Sequence, residues 1–100
     1  MTGGTPMADA VTDNAERSRF ELRLGADTAF VSYRRADAVL LLTHAEVPAH
    51  LEGQGVGSRL VGGVLDLVRA RGERVVPRCP FVARFIERHP AYRDLLATAP

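Results

Sequence analysis

Apolar and polar residues alternate over residues 19–25, where Phe20, Leu22 and Leu24 are separated by Glu21 and Arg23. A period of two marks a half-buried strand. Gly25, Ala26 and Asp27 supply a turn, and residues 28–36 form a second strand rich in β-formers. Asp37 turns the chain again. Residues 38–47 are a continuous apolar run that becomes polar at its end, as expected for a central strand whose far end opens onto a site. The three strands predict an antiparallel meander. The period then changes. Leu60, Val61, Val64, Leu65 and Val68 share one face of a helix over residues 58–72, stopped by Gly72. Residues 74–79 read as a short strand. Residues 80–90 read as a second helix with Phe81, Phe85 and Ile86 facing in and Pro90 ending it. A last helical turn holds Tyr92, Leu95 and Leu96. The order β-β-β-α-β-α predicts an α+β fold, a mainly antiparallel sheet with helices packed on it.

Two glycines, Gly62 and Gly63, interrupt the first helix, each costing up to about 1 kcal/mol relative to Ala. Close packing of helix on sheet is the favoured explanation. Residues 1–17 read as a loose N-terminal tail and residues 18–100 as one domain. With 46% hydrophobic and 25% charged residues, the composition is that of an ordinary globular chain. No apolar run approaches a membrane span, and the first residues lack the order of a signal peptide. A single cysteine, Cys79, has no internal disulfide partner. These features point to the cytoplasm and to no membrane partner.

All thirteen basic residues are arginine. The absence of lysine excludes the phosphate-binding loop lysine and the Schiff-base lysine. Charge divides mildly: residues 1–50 carry five Arg against seven acids, and residues 51–100 carry eight against five. The C-terminal half suits a polyphosphate-bearing ligand but falls short of a nucleic-acid footprint. His44, His50 and His89 do not have metal-ligand spacing, so no metal is expected.

Candidate chemistry begins at Gly53, Gly55 and Gly57, which alternate just before the first helix. A helix N-terminus presents unpaired backbone N–H groups and partial positive charge. Glycines ahead of it let an anion approach without meeting a Cβ. A dinucleotide fingerprint would need a third glycine where Ser58 stands, and a triphosphate loop would need a lysine. Recognition of a pyrophosphate by backbone alone remains.

Residues 52–66, EGQGVGSRLVGGVLD, resemble the acetyl-coenzyme A loop and following helix of the GNAT superfamily of N-acetyltransferases. That superfamily's pattern is Gln/Arg-x-x-Gly-x-Gly/Ala. Gly55 and Gly57 fit its small positions, and Glu52 takes the place of Gln or Arg. With LLTHAEVP before the loop and VVPRCPFVARFIERHPAY after it, the resemblance extends over residues 20–96, to a small single-domain GNAT-like group. It implies a sheet splayed between the strands ending near His44 and near Cys79. The pantetheine of acetyl-CoA would lie in that wedge, with its pyrophosphate on residues 53–58. The implied co-substrate contacts are Glu46, Val47, Gly53, Gln54, Gly55, Val56, Gly57, Ser58 and Arg59. The acceptor-side N-terminal helices of larger acetyltransferases have no counterpart here.

Acetyl transfer to an amine needs a deprotonated amine, a polarised thioester and a protonated leaving thiolate. The tyrosine that many family members use as the acid is replaced by Ile86, and Tyr92 lies beyond Pro90. Cys79 is one candidate catalytic residue. It precedes Pro80 at a helix start, beside Arg78, a setting that favours a nucleophilic thiol. A small buried hydrophobe is its other reading. His44 is the second candidate, as a base toward the amine or toward Cys79, with Glu46 on the same face to orient it. A strand-end histidine serving only a loop carbonyl is the alternative. The expected function is acetyl-CoA-dependent transfer to an unidentified amine. The runner-up is a CoA-binding module without transferase activity, and a small nucleic-acid-binding domain is disfavoured by balanced charge and few aromatics.

Overall fold

Residues 11–97 are described by the structure, a computed structural model. Five strands form one sheet in the order β1-β2-β3-β4-β5: β1 Val11–Asn14, β2 Arg19–Leu24, β3 Asp27–Ala36, β4 Val39–Glu46 and β5 Arg74–Pro77. β1 to β4 run antiparallel, and β5 returns parallel to β4 after helix α1, Val56–Ala70. That crossover is what a parallel neighbour requires. Helix α2, Pro80–Arg88, follows β5, and a 3₁₀ turn at Pro90–Leu95 ends the described fold. The mixed α+β sheet agrees with the sequence expectation.

One face of the sheet carries the core. Phe20, Leu22, Ala29, Val31, Leu40 and Leu42 are fully buried there. The predicted stripe of α1 packs against them, with Leu60, Val61, Val64, Leu65 and Val68 all buried. Burying such side chains contributes roughly 1.5–3 kcal/mol each. The inward face of α2 differs from expectation: Val82, Phe85 and Ile86 are buried, whereas Phe81 is 47% exposed. With Pro80 as the first helical residue, Val82, Phe85 and Ile86 follow the i, i+3, i+4 spacing. Phe81 stands one step off that stripe.

The expected tail also needs correction. Residues 1–10 lie outside the described residues, but Val11–Asn14 forms β1 and pairs with β2 from Val11↔Leu22 to Asn14↔Arg19. Tyr33 donates a 2.7 Å hydrogen bond to Asp13, and Arg71 reaches the same carboxylate at 2.8 Å. Burial pushes the Tyr33 hydroxyl up, and its bond to Asp13 adds to the shift. These three polar side chains thus tie β1 to β3 and to the residue that caps the C-terminus of α1.

β1 also explains one of the two helical glycines. A Cβ on Gly63 would stand 2.4 Å from Val11 Cγ2 and 3.2 Å from Val11 Cβ, so helix and strand approach as no larger residue allows. A Cβ on Gly62 would meet only Phe85 Cζ at 3.6 Å, an ordinary contact. Gly62→Ala is therefore expected to gain up to about 1 kcal/mol of helix propensity, raising the melting temperature by roughly 4–8 °C. Gly63→Ala must displace the Val11 side chain, at a cost of about 1–3 kcal/mol that cancels or outweighs the same gain. Equal melting temperatures for the two variants would remove the close approach as the reason for Gly63.

Candidate acetyl-CoA site

Parallel pairing of β4 with β5 runs from Val39↔Arg74 to Leu42↔Pro77 and stops there. Cys79 N–H adds one bond, 3.0 Å, to the Leu42 carbonyl, and Pro80 then begins α2. β4 continues to Glu46 with β3 alone. The two strands part like a fork, with Cys79 at its base.

A β-bulge lies on the same stretch of β4. Tyr33 pairs with Leu42 but Ser32 pairs with His44, so Thr43 is an extra residue. Its hydroxyl donates to the Ser32 carbonyl at 3.3 Å. The insertion reverses the alternation. Leu40, Leu42 and, after the bulge, Ala45 face the helices, while His44 and Glu46 face the opposite side of the sheet. There the His44 ring lies 6.1 Å from that of Phe30, and Arg19 covers Phe30 at 4.3 Å. Arg19 also binds Glu21 at 2.7 Å, and that hydrogen bond holds the Glu21 carboxyl below the usual carboxylate range. His44 Nε2 meets Glu46 Oε1 at 3.1 Å, with side chains 59% and 60% exposed.

Beyond the fork, residues Ala49–Leu51 make a 3₁₀ turn and the chain reaches the glycines. Gly53 at φ 83° and Gly55 at φ 80° occupy the left-handed region, and Gly55 is the N-cap of α1. No side chain caps this helix. Its first backbone bond runs from Arg59 N–H to the Gly55 carbonyl, 3.1 Å. The amides of Val56, Gly57 and Ser58 precede it and have no acceptor within the helix. A cavity of about 420 Å³ opens in front of them, within the range of small-molecule sites. Val47, Gly53, Gly55, Gly57 and Ser58, five of the residues named in the sequence analysis, line it. Ala45, Leu51, Glu52 and Phe81 line it as well. Nothing stands within 4 Å of the positions that a Cβ on Gly53 or Gly55 would take. The cradle thus offers uncapped amides, a positive helix end and an apolar wall, which suits a pyrophosphate joined to an uncharged arm.

The other expected contacts lie elsewhere. Gln54 turns its amide to the His50 carbonyl at 3.2 Å, Val56 packs into the core at 4% exposure, and Glu46 is on the far side of the sheet. Arg59 is exposed on the first turn of α1 and does not line the cavity. Cys79 is the N-cap of α2, as expected, and only 6% exposed. No hydrogen bond joins it to His44, whose ring is bonded to Glu46 instead. Among the described residues, no group of three or more His, Cys, Asp or Glu side chains could hold a metal ion. No helix among them is long and apolar enough to cross a membrane.

Comparisons with known proteins agree with this fold. The solution NMR structure of a GCN5-like protein from Staphylococcus aureus, a candidate N-acetyltransferase, superposes with a TM-score of 0.68. The match covers 93% of this chain and 92% of that one at 22% identity, so the likeness is one of fold. No curated protein matches the chain. The GCN5-related N-acetyl-transferase family matches it over residues 19–95, nearly the whole described fold. The fork, the bulge and the uncapped glycine turn are thus features of a family member: the chain belongs to the GCN5-related N-acetyl-transferases.

Proposed function

We propose that the chain transfers an acetyl group from acetyl-CoA to an amine. The observation that carries this reading is the cavity in front of the first amides of α1, walled by Ala45 and Val47 on the stretch of β4 that runs past its last pairing with β5 at Leu42↔Pro77. Those amides would hold the pyrophosphate. The unpaired edge of β4 between Thr43 and Val47 would take the pantetheine amides as an added strand does. The thioester would then lie at the fork's base.

The two candidate catalytic residues approach that point from different sides. His44, backed by Glu46, takes a proton from the ammonium group of an acceptor arriving over the face that carries Phe30. The neutral nitrogen attacks the acetyl carbon, and the carbon–sulfur bond breaks. Cys79 gives its thiol proton to the departing CoA thiolate and recovers one from the acylated nitrogen through water. Its burial and its separation from the His44–Glu46 pair favour direct transfer over an acetyl-cysteine intermediate. Glu52, at the mouth of the cavity, adds no positive charge to the cradle, so affinity rests on the backbone and helix dipole.

The test is incubation with acetyl-CoA and a panel of small amines, polyamines and peptides. Release of CoA thiol and a mass gain of one acetyl group on an acceptor are the expected results. Tight binding of acetyl-CoA without transfer to any acceptor would instead make the chain a CoA-binding module.

A further inference from the structure

We propose that Arg84 and Arg88 form a phosphate site for the adenosine 3′-phosphate of CoA, so that the chain distinguishes CoA from its 3′-dephospho form. The inference rests on the co-substrate reading above and deepens it.

A second hollow, of about 70 Å³, adjoins the first. It shares Ser58 and Phe81 with the larger cavity, and its other walls include Arg84 and Arg88. Four residues apart on α2, the two arginines share a face and rise about 6 Å along the axis. Phe85 and His89 complete the hollow. Their rings stack at 4.0 Å and 17°, and His89 Nδ1–H donates to the Phe85 carbonyl at 2.8 Å, so this wall is fixed.

Among the described residues, neither of the two arginines that wall this hollow has a counter-charge beside it. Arg19, Arg35, Arg69 and Arg71 are each tied to a carboxylate, Glu21, Glu73, Asp94 and Asp13. Arg84 and Arg88 have no hydrogen-bond or ion-pair partner among the described residues. Two unpaired guanidinium groups at one small hollow repel each other unless an anion comes between them. Guanidinium forks match phosphate oxygens well. The hollow has room for a phosphate group rather than for a nucleoside. Coenzyme A carries its two anionic groups on either side of one ribose: the pyrophosphate at the 5′ oxygen and a monophosphate at the 3′ oxygen. A pyrophosphate on the α1 amides would place the ribose beside Ser58 and Phe81. The monophosphate would then enter the arginine hollow, and the half-exposed Phe81 ring would cover the ribose.

Calorimetric titration with acetyl-CoA and with acetyl-3′-dephospho-CoA tests this. The wild-type chain should bind acetyl-CoA about 10- to 100-fold more tightly at low salt, and the preference should shrink as salt rises. The Arg84→Gln/Arg88→Gln variant should bind both compounds alike, at the wild-type affinity for the dephospho form. Arg23→Gln, on the opposite face of the sheet, should leave the preference unchanged. Equal wild-type affinities, a preference that survives in the double variant, or equal erosion by Arg23→Gln would each overturn the proposal while leaving the co-substrate reading intact. Binding of neither compound would remove both. Circular dichroism melts confirm that each variant is folded, as expected for exposed side chains.

Discussion

Replacing Gly55 with valine is expected to weaken acetyl-CoA binding by about a hundredfold or more, roughly 2.7 kcal/mol, in a chain that stays folded. Two effects combine. At φ 80° a β-branched side chain is strained, by about 1–2 kcal/mol, so the turn loses the geometry that presents the α1 amides. The new methyl groups would also point into the space now open at this position. Strain and obstruction are separated by a second variant. Gly25, at φ 66° in the turn between β2 and β3, also has nothing within 4 Å of where a Cβ would stand, and it does not line the cavity. Gly25→Val should lose a comparable amount of stability, a few degrees in melting temperature, and bind acetyl-CoA normally. Normal binding by Gly55→Val would remove the loop from the co-substrate site.

The turn is legible in the sequence because glycines at alternate positions before a helix have few other uses. Strands β2 to β4 and helix α1 are legible for a similar reason: each buries a single face, so burial writes a period into the residues. The failures have physical causes too. β1 contains one apolar residue, Val11, and its pairing depends on distant groups, Gly63 in α1 and Tyr33 in β3. No local pattern encodes that. The bulge at Thr43 is equally silent. Strict alternation from Leu40 and Leu42 would put His44 toward the helices, yet one inserted residue sends His44 and Glu46 to the other side. Phe81 reads as core because it is aromatic beside an apolar stripe. It instead borders both hollows, and a Cβ on Gly57 would lie 2.7 Å from its Cζ. Its role follows from the angle between α1 and α2, which tertiary packing sets. Whether Cys79 meets His44 depends on the same kind of long-range geometry.

Cys79→Ala is expected to lower turnover about a hundredfold with acetyl-CoA affinity unchanged, and Cys79→Ser is expected to keep part of the activity. The thiol sits at the base of the fork, 6% exposed, and its own N–H is committed to the Leu42 carbonyl. It can therefore reach a thioester sulfur lodged in the fork but has little access to bulk water. A proton donor in that place stabilises the departing thiolate, and a hydroxyl can donate in the same way, less well matched in acidity. A nucleophile would need a base beside it, and His44 is bonded to Glu46 across the sheet. Wild-type protein mixed with acetyl-CoA and no amine should accordingly show no added acetyl mass. An adduct that forms in the wild type and vanishes in Cys79→Ala would establish the covalent route instead. Full turnover by a folded Cys79→Ala would leave the thiol with packing alone, and proton delivery to the CoA thiolate would then fall to water entering along the unpaired edge of β4.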